Sequence, residues 1–165
     1  PHGDCPMSTL SVDTIQGKTT AGTVAMPSGH VVQSAFNNTA LFTSSTSSTY
    51  ADLIKISFTP KFSNSFLFIN VFMRYQCSGT VDDMKIKVLH DSTNIFEVER
   101  YTLYTGVSNQ INTVSFQSFV SSTGSTSSRD IKFQTAVYTG SQSVSINVNN
   151  SSGTATSMFI QEIAG

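Results

Sequence analysis

The stretch Phe66-Leu-Phe-Ile-Asn-Val-Phe-Met-Arg-Tyr-Gln-Cys77 decides the fold. Read with a period of two, as a strand presents its side chains, one face carries Leu67, Ile69, Val71, Met73, Tyr75 and Cys77. That face has no charged or amide group, the pattern of a strand half-buried in a core. The opposite face carries Phe66, Phe68, Asn70, Phe72, Arg74 and Gln76. Three phenylalanines on one side call for cover, either from a second layer of the same chain or from another subunit. The face grades from aromatic to polar along its length, as an interface grades from an apolar centre to a wet rim. Phe66, Phe68 and Phe72 are therefore the candidate oligomer contacts.

Working outward, the same alternation recurs. Tyr50 to Phe58 places Ile54, Ile56 and Phe58 on one side, and Thr59-Pro60 ends that strand because proline cannot donate to a ladder. Asp83 to His90 turns Met84, Ile86 and Val88 inward and Lys85 and Lys87 outward. Further extended runs are His30 to Phe36, Ile95 to Leu103, Ile111 to Val120, Ile131 to Tyr138, Val144 to Val148 and Ala155 to Ile163. The all-hydroxyl run Thr43 to Thr49 reads as a loop. Eight or more strands at roughly 10–15-residue spacing, with no helical period, predict an all-β antiparallel β-sandwich or jelly roll.

Composition agrees. Ser and Thr fill 48 of 165 positions and charged residues only 12%, against ~25% in typical domains, which favours strands and turns over helices. The formal net charge of −1 supplies no basic field for nucleic acid or an anionic membrane. No apolar run of roughly 18 residues is present to span a bilayer as a helix, and no signal-peptide pattern opens the chain. Pro1 fits excision of an initiator methionine, so the expectation is a small soluble protein that is nearly whole. Residues 1–29 are short, polar runs broken by Gly17, Gly22, Pro27 and Gly29. They read as an extended N-terminal attachment arm, with Leu10, Val12, Ile15 and Val24 its apolar contacts, ahead of a sandwich over residues 30–165.

Catalytic and metal signatures are missing. His2, His30 and His90 lack metal-ligand spacing, and no Gly-x-Ser-x-Gly elbow or phosphate loop occurs. Glu97 and Glu99 share one side of a strand, as a glycosidase pair can, but read better as surface charges. Asn37-Asn-Thr39 and Asn149-Asn-Ser151 match a glycosylation acceptor pattern that chance supplies in so polar a chain. Cys77 reads as a buried thiol and Cys5 as part of the tail; two cysteines make no disulfide framework. The expectation is a protein without enzymatic activity, cofactor or metal. Tyr101, Tyr104 and Tyr138 sit at strand ends, where exposed rings stack on sugars but more commonly pack.

Three stretches resemble small virion structural proteins of tailed bacteriophages, the tail-fibre-like kind common in marine phages. The opening Met7-Ser-Thr-Leu-Ser-Val-Asp-Thr-Ile-Gln-Gly-Lys-Thr-Thr-Ala-Gly-Thr-Val24 and Pro27-Ser-Gly-His-Val-Val-Gln33 is similar to their N-terminal segment. Ile54-Lys-Ile-Ser-Phe-Thr-Pro-Lys-Phe-Ser-Asn-Ser-Phe-Leu-Phe-Ile69 resembles their strand, Thr-Pro turn, strand unit, except that Phe66 stands where lysine is common. Phe159-Ile-Gln-Glu-Ile-Ala-Gly165 resembles their closing strand. The resemblance implies a virion location on tail or capsid exterior and homotrimeric assembly, with the arm meeting other virion proteins and the distal loops meeting a host-surface glycan. The alternative it leaves is capsid decoration, as a head fibre or cement, or a tail-connecting role without a receptor. It carries over no catalytic residue.

Overall fold

Side-chain alternation and strand pairing agree through most of the chain. The computed structural model describes residues 28–40, 43–79, 81–104, 106, 108–121, 124–138, 142–147 and 156–165, with only the backbone of residues 81, 82 and 100–104. Residues 1–27, which hold Cys5 and the expected arm contacts Leu10, Val12, Ile15 and Val24, lie outside the described residues.

The strands in chain order are β1 (Val31–Thr39), β2 (Thr43–Ser45), β3 (Ala51–Phe58), β4 (Phe66–Cys77), β5 (Val81–His90), β6 (Thr93–Tyr104), β7 (Ile111–Ser121), β8 (Arg129–Val137), β9 (Val144–Ile146) and β10 (Thr156–Ile163). All pairings are antiparallel, and they build two sheets. In the first, β4 is flanked by β7 on one side and by β10 and β9, end to end, on the other. β1 and β2, also end to end, pair with β10 and β9. The second sheet has the order β3-β8-β5-β6. The chain crosses between the sheets at every connection except the hairpin β5–β6 and the breaks within β1/β2 and β9/β10. Two four-stranded layers with this alternating passage are a jelly roll.

Why the sheets face each other follows from parity. Leu67, Ile69, Val71, Met73, Tyr75 and Cys77 are all at most 1% exposed. They meet Ile54, Ile56 and Phe58 of β3, Met84, Ile86 and Val88 of β5, and Ile131 and Phe133 of β8. Phe116 stacks on Phe96 at 4.8 Å and tilts against Phe133 at 5.4 Å, closing the side where β6 and β7 adjoin. Cys77 is buried, as expected. The expected loop at Thr43–Thr49 instead begins with β2, which hydroxyl side chains conceal in the sequence; its position comes from continuing the line of β1 alongside β9.

Two polar clamps hold the connections between strands. Glu162 falls on the inward parity of β10 and is fully buried. Its carboxylate accepts the backbone N–H groups of Lys61 and Phe62, each at 2.9 Å, and Gln33 Nε2 at 2.6 Å. Burial alone pushes its pKa up. The hydrogen bonds from Lys61, Phe62, Ser65 and Gln33 outweigh that and hold it below the ordinary carboxylate value. The second clamp is Asn147, 1% exposed and at φ +60°, where asparagine is tolerated better than most residues. Its Oδ1 accepts both N–H and Oγ1 of Thr156, and its Nδ2 donates to Thr39 O. It thus bridges the break between β9 and β10 and fastens both to the end of β1.

Candidate functional site

The two outer faces of the sandwich differ in chemistry. On the sheet of β4, register places Phe68 beside Phe119 and Gln161, and Asn70 beside Phe159 and Gln117. Phe159 in turn pairs with Phe36, and Ile163 with Val31 and Phe66. Six of the twelve phenylalanines therefore share this face: Phe36, Phe66, Phe68, Phe72, Phe119 and Phe159. Phe36 is 62% exposed, Phe119 64% and Phe66 47%, and Phe68 leans on Phe119 at 4.9 Å. Among the described residues no second layer covers them, and Arg74 is the one charged side chain on the face.

Charge gathers on the opposite outer face. There Lys55 pairs with Asp130 at 3.2 Å, Lys87 with Glu97 at 3.9 Å and Lys132 with Asp52 at 3.9 Å. Soluble monomers rarely leave a large contiguous apolar patch open, so the segregation marks the first face as one to be covered. The sequence pointed to Phe66, Phe68 and Phe72 on β4. Phe36, Phe119 and Phe159 were missed because they join the patch only through strand register, although the period of two in their own strands was visible.

The three candidate tyrosines come to one end of the molecule. Tyr104 pairs with Val81 and Tyr101 with Met84, which also pairs with Val137, the residue before Tyr138. Tyr138 is 40% exposed and its N–H donates to Asp83 O; the side chains of Tyr101 and Tyr104 lie outside the described residues. At this same end lies a cleft of about 220 Å³. Its walls include Leu53, Val137, Val144 and Ile146, with Asp52 and Thr135 at the polar side. The chain's described start and its C-terminus lie at the other end, joined by Gly29 N–H to Ala164 O and Ala164 N–H to His30 O, each at 2.8 Å.

Glu97 is engaged on three sides. Tyr50 Oη donates to it at 2.8 Å, Asn94 Nδ2 donates to its other oxygen, and Lys87 approaches. Lys87 and Lys85 also sit over the Tyr50 ring, at 4.2 and 5.1 Å. Burial first, then the bond to Glu97, push the Tyr50 hydroxyl well above its ordinary pKa. The Glu97 carboxylate is thus part of a surface network with Tyr50, Asn94 and Lys87. His90 is buried, and desolvation, then Arg129, lower its pKa. Among the described residues no three His, Cys, Asp or Glu side chains converge as a metal site.

No protein-family model matches the chain, and no curated protein matches it by sequence. Among solved structures, the T13 viral particle of infectious bursal disease virus is similar over 96% of this chain and 40% of that one, at 11% identity and a TM-score of 0.51. The VP2 subviral particle of infectious bursal disease virus aligns over 82% and 34% of the two chains, at 16% identity and a TM-score of 0.48. Dimeric latent PorU from Porphyromonas gingivalis aligns over 90% and 14%, at 5% identity and a TM-score of 0.46. This chain thus spans less than half the length of each of these proteins. The likeness to the T13 particle is one of fold, the jelly roll described above.

Proposed function

We propose that the chain is a virion structural protein that self-associates, as a homotrimer, through the aromatic face of the β4 sheet. The observation that carries this reading is the separation of aromatic and charged residues onto opposite outer faces. At ~3.3 Å per residue and ~4.8 Å per strand, four strands as long as β4 offer roughly 750 Å², close to the ~800 Å² per partner of a standard interface. Covering the open parts of Phe36, Phe66 and Phe119 removes about 350 Å² from water if a phenylalanine exposes ~200 Å². At ~25 cal/mol per Å² that is about 9 kcal/mol of gross stabilisation, within the range of the 4–15 kcal/mol cost of association.

In this reading the module is of tail-fibre or adhesin type. Residues 1–29 attach it to other virion proteins, and the loop end bearing Tyr101, Tyr104 and Tyr138 meets a host-surface glycan. The fold likeness to the T13 viral particle is equally compatible with a second reading, a capsid-decorating or tail-connecting protein with no receptor role. Neither assigns catalysis, a cofactor or nucleic-acid binding. Sedimentation equilibrium tests the shared part. The wild type should give about 53 kDa, three times the 17.8 kDa chain, and Phe36→Ser with Phe66→Ser should shift it to the monomer. A wild type that stays at 17.8 kDa across micromolar concentrations overturns it. A chain starting at His30 should assemble in the same way but not join the particle. Its normal incorporation would remove the arm's role.

A further inference from the structure

Sheet edges expose unpaired N–H and C=O groups, and natural proteins blunt them with bulges, charges or cover. Three of the long edges here are blunted. β1 carries a register shift between Val31 and Gln33. β3 carries one between Asp52 and Ile54, holds Asp52 and Lys55, and is capped from β1 by Asn37 Nδ2 on Lys55 O and Gln33 Nε2 on Thr59 O. β6 has two register shifts against β5 and carries Glu97 and Glu99. β7 carries no register shift against β4 and no charge. Its eleven residues, Ile-Asn-Thr-Val-Ser-Phe-Gln-Ser-Phe-Val-Ser, include no charge and no proline. Its register with β4 runs unbroken from Gln76↔Ile111 to Phe66↔Ser121, and β4 is its only strand partner among the described residues.

We propose that β7 is a docking edge for β7 of a second copy, paired antiparallel across a two-fold axis so that two β4 sheets become one continuous sheet. A long, regular backbone edge is matched by another extended strand. A copy of itself fits because an isologous pairing of an uncharged strand brings no like charges together. With the axis at Phe116, Ser115 faces Gln117 and Thr113 faces Phe119 on the outer side. Val114 faces Ser118 on the inner side. The contact is made by the backbone edge of β7 rather than by stacking of the aromatic rings, and it serves to join oligomers formed through the aromatic face.

Residue-resolved amide hydrogen exchange on the intact chain tests it. The β7 amides not bonded to β4 should exchange on the order of a hundredfold more slowly at millimolar than at micromolar concentration, whereas those bonded to β4 stay slow throughout. The same concentration-dependent pattern should persist in Phe36→Ser/Phe66→Ser protein, which separates this contact from the aromatic face: if the variant loses face-driven assembly but keeps the pattern, the edge stands without the face. Edge amides that stay fast at millimolar concentration overturn the proposal. So does their protection in a species that sediments as a monomer, because the cover then comes from the chain itself.

Discussion

Replacing Glu162 tests the claim that one buried carboxylate fastens the crossover from β3 to β4. In Glu162→Ala the backbone N–H groups of Lys61 and Phe62 and the Gln33 amide lose their acceptor in a fully buried place. Hydrogen bonds to a charged group are worth ~1.5–3 kcal/mol each. Water entering the vacated space recovers part of this, leaving an expected loss of about 4 kcal/mol, large beside the ~5–15 kcal/mol stability of a domain. With a urea m-value of about 2 kcal/mol/M, the midpoint should fall by roughly 2 M at fixed protein concentration. Glu162→Gln keeps one acceptor oxygen but turns an amide donor toward the donors, and should lose about half as much. The pH dependence has a definite sign. The folded pKa lies below the ordinary 4.5, so this stabilisation is complete above that value and is lost as pH falls through the folded pKa. The glutamine variant should show a shallower loss in that window. A Glu162→Ala midpoint within about 0.3 M of wild type would refute the reasoning.

Three further outcomes are expected. Ile69→Asp places an unpaired charge at a fully buried position and should prevent folding; a soluble, cooperatively melting variant by circular dichroism contradicts the packing of β4. Asn147→Ala removes the acceptor for Thr156 and the donor to Thr39, and leaves alanine at a positive φ. It should cost about 2–4 kcal/mol in denaturant unfolding, and a change under about 0.5 kcal/mol would show that the clamp is idle. Glu97→Gln with Glu99→Gln should leave oligomer mass unchanged by sedimentation, and any glycan-cleaving activity abolished by that pair would overturn the non-catalytic reading.

Much of the jelly roll was legible because strand parity is a local property. β3, β4 and β5 each show one clean apolar face, and those faces form the core. β2 escaped because Thr43, Ser44 and Ser45 offer no apolar contrast, and only the neighbouring β9 defines it. Glu162 was legible in principle. It has the parity of Met158 and Ile160, but a carboxylate is read as solvent-facing unless its donors, a hundred residues away at Lys61 and Phe62, are known. The aromatic side of β4, with Phe66, Phe68 and Phe72, was visible from the period of two alone. Its true extent depends on pairing with β1, β7 and β10, which no single strand reveals.

A density map of the purified oligomer, resolved well enough to trace strands, tests the central claim most directly. The β4 sheets of the subunits are expected to face the symmetry axis, with Phe36, Phe66 and Phe119 buried between copies and the lysine-bearing face of β5 turned outward. Subunits arranged with the β5 face at the axis and the phenylalanines in solvent would contradict it.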